Sequence, residues 1–587
     1  MNDSTNNPDT DRRPNGRKSR SRGGRGRGGG RGRERLIYIP LGGAGEIGMN
    51  MYLYGYGAPG KERFIMVDAG VTFPSMDTTP GVDLIMADPA FIAERADRLE
   101  AIFVTHAHED HIGALGMLHG QLGYPTIHAR PFTAAHVRRK LEEAGAEPEA
   151  VVEAGPMPET IEAGPFTVGF LPVSHSIPES SSLVIDTPAG RIIHTGDFKL
   201  DRTPGVGEPF DEAAWRAVAA EGVKALVMDS TNVFSLHPGR SEAVIREPIR
   251  ALVASAEGMV AATTFASNVA RLKTLAEAGI AAGRKVVLLG RAMRRMVDVA
   301  LQSGVLESFP PTVSPEDAKD MPRHELMVLA TGSQGERRAA TAQLAQGKYL
   351  GFEMREGDMF LFSSKTIPGN EISVARIMNQ LSEKGVDVID DGEGLYHVSG
   401  HANRPDLETM HEIVRPDMLI PMHGEHRHLR RHVRIAEAKG IPGVVAPNGS
   451  VVDLTGERPR IVDQVETGRI YRDGSELIGA FDGIVRDRIR MALNGLVAVA
   501  VVLDDADDPL REAWVETFGL TDPEGEKELA EHIEADLDIA LTRAPDKVLD
   551  SDDELEALIR RTARKTTERL IGKRPEVRPV ISRLTMA

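Results

Sequence analysis

The sequence predicts an α/β protein of several domains, in which sheets pack face to face with helices outside. At 587 residues the chain is longer than a single domain usually is. After Leu36, short apolar runs are separated by Gly, Asp and Pro, which is typical of strands joined by turns. From about residue 231 to about 390, strand-like and helix-like stretches alternate, which favours a parallel sheet with covering helices.

The region after Leu36 is the richest in predicted strands. Apolar runs bounded by turn residues predict strands at residues 36–39, 51–54, 64–67, 101–104, 166–171, 182–185 and 191–194. Helical periodicity is clearest at residues 132–144. This order of elements suits two stacked sheets covered by helices on their outer faces.

The alternating region carries polar loops after its predicted strands. Strands are predicted at residues 259–262, 285–289, 326–330 and 359–362, and helices at 242–256 and 267–282. Loops such as 331–335 and 363–365 follow these strands, and loops at the carboxyl ends of parallel strands commonly form ligand crevices. Each loop taken singly is better explained as a turn, but their recurrence after successive strands makes contact with phosphate or RNA an equal alternative. The last region predicts a strand at 496–503, helices at 526–542 and 553–571, and a strand at 577–584.

Residues 1–35 form a low-complexity segment that is rich in Arg and Gly. They carry a local charge of +7 in a chain whose net charge is −17, which leaves −24 for the remainder. So few apolar side chains cannot offset the entropy of ordering, and we expect a disordered tail. Arg-Gly tracts often bind RNA through phosphate contacts and stacking on bases, and a merely solubilising tail is the alternative.

Composition restricts the cellular setting. The chain has no cysteine, which excludes a disulfide framework and agrees with a reducing cytoplasm. The longest apolar stretch, residues 496–503, is too short to span a bilayer, and the first residues lack the apolar core of a signal peptide. We therefore expect a cytoplasmic protein that makes no membrane contact.

The most informative segment is His106-Ala-His108-Glu-Asp110-His111, directly after a predicted strand. His106 and His108 are two residues apart, so both imidazoles leave the same face of extended backbone. Asp110 and His111 follow where the chain must turn and can be directed at a point nearby. This pattern suits two neighbouring divalent metals that activate a water for hydrolysis. A run of exposed polar residues is the alternative, but four ligand types in six positions make it the weaker interpretation.

Further ligands are expected downstream, because one cluster cannot saturate two metals. Apolar runs end in His175, in the segment from His194 to Asp197, and in His423. Active-site groups commonly lie in loops at strand ends. Without cysteine every ligand must be nitrogen or oxygen, which fits zinc and tolerates manganese or magnesium.

These motifs resemble the metallo-β-lactamase fold family, whose domain is an αββα sandwich. The resemblance implies one metal bound by His106, His108 and His175, and another bound by Asp110, His111 and His423. It further implies that Asp197 bridges the two metals and takes part in catalysis with Asp110. Asp68 matches the family's early aspartate and would orient a ligand histidine.

A later segment, His397-Val-Ser399-Gly400-His401, narrows the resemblance to the β-CASP nucleases and to the bacterial ribonuclease J family. The segment Pro421-Met-His423-Gly-Glu425, the segment 228–232 and the glycine-rich stretch 41–50 agree with that family. The resemblance implies that His397, Ser399, Gly400 and His401 bind RNA phosphate, with His401 also catalytic. A structural histidine is the alternative for His401, and support of the loop is the more natural role for His397.

The resemblance also implies a domain order. It consists of the tail 1–35, a metallo-β-lactamase domain in two parts (36–230 and 391–455), an inserted β-CASP domain at 231–390, a linker at 456–470 and a small C-terminal α/β domain at 471–587.

By resemblance, the activity is a metal-dependent ribonuclease for RNA processing and decay. It would cleave single-stranded RNA internally and digest it 5′ to 3′, preferring a 5′ monophosphate. Homodimers or homotetramers and contacts with other RNA-decay enzymes are implied as well. A small-molecule thioesterase of the same fold and an RNA-binding scaffold with a degenerate site are the alternatives.

Overall fold

The computed structural model describes residues 33–504, 509–510 and 512–584. The prediction of a disordered tail therefore falls almost wholly outside the described residues. Of the residues assigned to the tail, Arg35 begins the first strand, Arg35–Gly42.

Two large sheets form the first part of the fold. The eight-stranded sheet has the order Arg460–Gln464, Ser450–Asp453, Arg35–Gly42, Met51–Gly57, Arg63–Val67, Leu99–Phe103, Ile127–Ala129 and Val151–Glu153. The six-stranded sheet has the order Thr160–Ala163, Phe166–Pro172, Ser181–Thr187, Gly190–His194, Ala225–Asp229 and Met418–Met422. The strand from residue 418 joins this sheet although the inserted region separates it from its neighbour in sequence.

The two sheets pack face to face because their strands alternate between two buried surfaces. Tyr38 and Tyr54 point into the core between the sheets, whereas Ile37 and Leu53 point to the outer core of the eight-stranded sheet. Burial on both faces explains why these strands are continuous apolar runs. The predicted αββα sandwich is confirmed.

Helices cover both outer faces of the sandwich. Pro131–Glu143 buries Phe132, Val137 and Leu141 on the outside of the eight-stranded sheet. On the outside of the six-stranded sheet, Trp215 joins a core with residues of two further helices. The α-helices of this part are Ala90–Ala93, Glu109–Ile112, Leu115–Leu118, Pro131–Glu143, Glu212–Ala219, Arg404–Val414 and His426–Ala438.

The inserted region has its own parallel sheet. Its strands run in the order Thr312–Val313, Lys285–Leu289, Leu326–Ala330, Val260–Thr263, Met359–Phe362 and Asp387–Ile389. The α-helices of this region are Arg246–Ser255, Val269–Ala281, Arg291–Gln302, Pro315–Ala318, Ala340–Gln346 and Glu371–Ser382. The alternation seen in the sequence therefore produces the predicted parallel sheet.

The stretch predicted as a linker is built into sheets. Arg460–Gln464 pairs with Ser450–Asp453, and Arg469–Asp473 pairs with Leu84–Ala87 in a small four-stranded sheet that also contains Val71–Thr72 and Glu476–Gly479. All five residues of Arg460–Gln464 are exposed, so this edge strand has no apolar pattern to reveal it. The boundaries of the predicted domains stay predictions.

A three-stranded sheet follows, in the order Trp514–Phe518, Leu496–Leu503 and Glu576–Arg583. The α-helices here are Ile484–Asn494, Leu529–Thr542, Asp546–Leu549 and Asp552–Ile571. Within the described residues, no helix combines the length and apolarity that a membrane crossing requires.

The sandwich brings the chemistry-bearing loops to one edge. Asp68 follows Arg63–Val67, and His106 follows the neighbouring parallel strand Leu99–Phe103. Asp197 and His423 follow Gly190–His194 and Met418–Met422, which run parallel on either side of Ala225–Asp229. Because parallel strands end at the same edge, residues far apart in sequence meet there.

Candidate metal centre

Three imidazoles form one group at this edge. His106 Nε2 lies 3.0 Å from His108 Nδ1, which lies 3.2 Å from His175 Nε2. Ligand atoms held about 2.1 Å from one tetrahedral ion are about 3.4 Å apart, so these spacings suit a single small cation. The three residues predicted to share a metal do converge.

The other group combines two carboxylates and two imidazoles. His111 Nε2 lies 3.3 Å from Asp197 Oδ2 and 3.7 Å from Asp110 Oδ2. His423 Nε2 lies 3.6 Å from Asp110 Oδ2. All four candidate ligand atoms lie within 4.8 Å of one another.

Asp197 stands between the two groups. Its Oδ2 is 3.9 Å from both His106 Nε2 and His175 Nε2, and 3.3 Å from His111 Nε2. The same carboxylate oxygen therefore faces the ligand atoms of both groups. This position is the one that a bridging ligand requires.

Burial prepares the three-imidazole group to bind a cation. It holds the pKa of His106 and His175 well below the usual range, and lowers the pKa of His108 to about 4. Positive charge on neighbouring imidazoles adds to this effect on His106 and His175. The three rings are therefore neutral at pH 7, as metal ligands must be.

The ionised state of Asp197 has a different cause. Burial opposes its ionisation, but His423, His111 and His401 outweigh burial and hold the pKa of Asp197 well below its usual range. His423 Nδ1 and Asp197 Oδ1 are buried and lie 2.8 Å apart as an ion pair, but their orientation does not give a well-aligned hydrogen bond, and neither atom has another partner among the described residues. A cation would satisfy both atoms, so the residues present fit a metal centre.

Neighbouring groups hold the second nitrogen of several rings. Asp68 Oδ2 is 2.7 Å from His111 Nδ1 and also accepts a hydrogen bond from Thr105 Oγ1. Thr105 Oγ1 in turn lies 3.0 Å from His106 Nδ1. Asp68 adopts a positive φ of 61°, a strained conformation that its hydrogen bonds maintain. This is the geometry expected if Asp68 orients the ring of His111, as predicted.

Close packing of the backbone also fixes the site. A Cβ on Gly70 would lie 1.6 Å from the carbonyl oxygen of Asp110, so only glycine allows this approach. Gly70 N donates to the carbonyl of Asn50, whose own N donates to the carbonyl of Asp110. These bonds position the turn that carries Asp110 and His111.

His401 approaches the centre from the returning segment. Its Nδ1 is 2.9 Å from Asp229 Oδ2 and 3.9 Å from Asp197 Oδ2. Burial disfavours its charged form, but Asp229 and Asp197 outweigh burial and raise the pKa of His401 to about 9. Its side chain is 23% exposed and that of Asp110 is 31% exposed, whereas Asp197 and His423 are buried. The opening of the site therefore lies beside His401 and Asp110.

The remaining predicted phosphate-binding residues have different surroundings. Ser399 Oγ accepts hydrogen bonds from Asn232 Nδ2 and from the backbone of His401, and the carbonyl of Gly400 lies 2.6 Å from His175 Nδ1. His397 Nδ1 instead lies 3.2 Å from Arg271 Nη1. Burial, reinforced by Arg271, lowers the pKa of His397 to about 3. The geometry of His397 therefore favours support of the loop.

The sequence analysis assigns no role to four residues of the site, although three of them, Asn50, Asp229 and Asn232, lie in the segments 41–50 and 228–232 that carry the family resemblance. They are polar groups that hold the ligands or the loop, namely Asn50, Asp229, Asn232 and Ser267. Asp229 ends a fully buried strand, which is a pattern that could have revealed it. Asn50 and Asn232 end the two family-like segments, whereas Ser267 lies in a loop whose composition is ordinary for turns. His194, at a strand end, contacts Tyr54 OH at 2.8 Å within the core.

Family models match most of the chain. They describe a metallo-beta-lactamase superfamily domain at residues 44–243, a ribonuclease J beta-CASP domain at 257–381, a Zn-dependent metallo-hydrolase RNA specificity domain at 393–447 and a ribonuclease J C-terminal domain at 483–584. The fold and the site thus define a member of the metallo-β-lactamase superfamily with a β-CASP insertion.

Similar proteins narrow this class further. Ribonuclease J of Sinorhizobium meliloti is 42% identical over 93% of this chain and 97% of its own length. Ribonuclease J of Corynebacterium glutamicum is 37% identical over 82% of this chain and 67% of its own length. Ribonuclease J of Thermus thermophilus is 35% identical over 81% of this chain and 83% of its own length. The chain belongs to the ribonuclease J family.

Proposed function

We propose that this protein is a ribonuclease that hydrolyses RNA phosphodiester bonds with two divalent metal ions. The observation that carries the proposal is the position of Asp197, whose Oδ2 faces both ligand groups. Divalent metal binding follows from the superfamily and from these groups, and an RNA substrate follows from the family and the matched RNA specificity domain.

We propose zinc as the native metal, with manganese or magnesium as alternatives. Nitrogen and oxygen ligands and neutral imidazoles suit zinc. When bound, a metal pair lowers the pKa of a water and stabilises charge on the phosphate. The protein contributes by holding His106, His108 and His175 on one side of Asp197, and Asp110, His111 and His423 on the other.

The residues of the returning loop complete the proposed chemistry. His401 lies at the opening, and its Nδ1 is fixed by Asp229, so the ring can offer a proton or a positive charge to the scissile phosphate. Ser399 and Gly400 belong to the same loop as His401, held by Asn232 and His175, and would contact phosphate oxygens. His397 would act indirectly, by supporting this loop.

We further propose that the enzyme digests RNA from 5′ to 3′ and prefers a 5′ monophosphate. It would also cleave RNA internally. Family membership supports it. In this proposal a terminal phosphate would meet the loops at the strand ends of the inserted sheet, two of which are joined by a hydrogen bond from Gln334 Nε2 to the carbonyl of Lys365. The Lys365 side chain is exposed there and offers a cation.

A homodimer or homotetramer is proposed for the assembly. The three-stranded sheet supports it, because Trp514, Phe518 and Val580 are 54%, 50% and 57% exposed. Apolar side chains of this size on an open sheet face are typical of an interface. Association with other RNA-decay enzymes and a cytoplasmic location stay proposals, the latter in agreement with a chain that has no cysteine.

One assay tests the proposed activity directly. We expect the purified protein to release nucleotides from a 5′-monophosphorylated single-stranded RNA, and to stop doing so in excess chelator. A small thioester should remain intact under both conditions, since the proposed substrate is a phosphodiester. Thioester hydrolysis without RNA cleavage would identify a small-molecule hydrolase, and RNA binding without cleavage at any metal concentration would identify a scaffold.

A further inference from the structure

We propose, on the basis of the function proposed above, that Ser267 of the inserted domain is a positioning residue for the metal ligand His108. Ser267 lies within the β-CASP match at residues 257–381, directly before the helix Val269–Ala281. Its Oγ is 3.0 Å from His108 Nε2. The inserted domain would then contribute to the metal centre itself as well as to an RNA-binding surface.

The orientation of the His108 ring supports this assignment. Its Nδ1 is the atom directed at His106 Nε2 and His175 Nε2, so Nδ1 is the nitrogen placed to bind a metal. A metal-binding nitrogen carries no proton, and the proton of the neutral ring then belongs to Nε2. His108 Nε2–H therefore donates to Ser267 Oγ, which fixes both the tautomer and the rotation of the ring.

The other rings are held in the same manner by different partners. Thr105 contacts His106, Asp68 contacts His111, and the carbonyl of Gly400 contacts His175. Each of those partners lies in the sequence that flanks the insertion. Ser267 alone among these four partners comes from within the β-CASP match. Partners of this kind typically change metal affinity by on the order of 10–100-fold when they are removed.

A buried arginine fixes the segment that carries Ser267. Arg271 is fully buried, and its Nη2 donates to Glu242 Oε2 at 3.0 Å. Its Nη1 donates to the carbonyl and the hydroxyl of Ser363 and lies beside His397 Nδ1. Such a network is rigid because moving one member would leave buried charge unpaired.

The N-terminal cap of the helix also restricts the position of Ser267. The Asn268 side chain accepts a hydrogen bond from the backbone N–H of Arg271 at 2.9 Å and begins the helix Val269–Ala281. Ser267 directly precedes this capped helix end. Its backbone is therefore restricted, and its hydroxyl stays within reach of His108. Through Arg271 the same helix turn also contacts the segment that leads to His401.

Zinc binding by the full chain tests the proposal. Metal-free protein is titrated with zinc in competition with a chromophoric chelator, for the wild type, S267A, S267T and S303A. Ser303 is a matched control, since it is half-buried in the same inserted region and its hydroxyl donates to the carbonyl of Val299 in the helix Arg291–Gln302 that it directly follows. We expect one zinc equivalent to bind on the order of 10–100-fold more weakly in S267A. S267T, which keeps the hydroxyl, and S303A should bind like the wild type.

The outcomes separate this proposal from the proposed function. If the wild type binds two equivalents and S267A binds both as tightly as S303A does, Ser267 has no positioning role. If the wild type binds no zinc, and binds neither manganese nor magnesium when the titration is repeated with those ions, the metal-dependent function fails and the role of Ser267 fails with it. A weaker site in S267A, with an unchanged far-ultraviolet circular dichroism spectrum, supports the proposal.

Discussion

His401 differs from the ligand histidines in the atoms that surround it. The ligand rings meet other imidazoles and carboxylates at their metal-facing nitrogens, whereas His401 Nδ1 is bonded to Asp229 Oδ2 at 2.9 Å. Its distance to Asp197 Oδ2 is 3.9 Å. His401 also lies within ligand distance of His175 and Asp197. We assign it to the substrate because Asp229 already occupies its Nδ1 and its side chain lies at the opening.

Replacing His401 by Ala should therefore slow RNA cleavage by about 10²–10⁴-fold, the usual contribution of a general acid or base. Single-turnover cleavage rates and zinc stoichiometry would be measured together. His426→Ala is a matched control, because His426 is an exposed histidine on the helix that follows His423. Near-normal turnover in H401A, or a defect that consists only of lost metal, would contradict the assigned role.

For individual residues, the sequence predicts the metal ligands better than it predicts the residues that hold those ligands in place. The spacing of His106, His108 and His111 after a strand is visible without a structure. Ser267 is not, because its partner His108 is 159 residues away and a serine in a loop is ordinary. The contact depends on how the inserted region docks, and no local pattern encodes that docking.

Among the structural elements, the sheet of the C-terminal region has two unlike faces. Val497, Val499 and Val577 are buried beneath helices. On the opposite face, register places Trp514 and Val580 on either side of Ala500. An apolar row across three strands needs a partner to bury it, and a second copy of the chain is the partner proposed here.

We expect W514E combined with V580E to convert the assembly to single chains, because buried carboxylates would oppose contact between two such faces. Light scattering after size exclusion measures the mass. Ile372→Glu is the control, since Ile372 is 87% exposed on a helix of the inserted region and should leave the mass unchanged. A wild-type mass of one chain at micromolar concentration, or an unaltered mass in the double variant, would refute this interface.

Elements with a strong apolar pattern are the ones that sequence predicts well. The helix expected at residues 267–282 is observed at Val269–Ala281, and the strand expected at 496–503 at Leu496–Leu503. The sequence predicts a linker over the edge strand Arg460–Gln464, and the structure shows why no apolar pattern marks this strand, since all of its side chains are exposed. Pairing with a neighbouring strand, and not burial of its own side chains, makes it a strand.

For the whole molecule, the site depends on a chain that leaves the sandwich and returns to it. Asp229 ends one strand, the inserted region follows, and Met418–Met422 then pairs with that same strand in parallel. His423 thereby meets Asp110 at 3.6 Å, although more than three hundred residues lie between them. The spacing of residues along the sequence does not predict that the chain returns to this sheet. Only the resemblance to a known family predicts it.

The central claim is that two metals at this centre cleave RNA. The most direct measurement combines metal analysis with an RNA cleavage assay on the wild type and on Asp110→Ala/His111→Ala. The control is Asp387→Ala/His324→Ala, which removes the same residue types from exposed positions. We predict two ions per chain and cleavage in the wild type and the control. The site variant should lose at least one ion and all detectable cleavage while it keeps its fold by circular dichroism. Full activity with one ion bound per chain, or cleavage that survives in the site variant, would contradict the account.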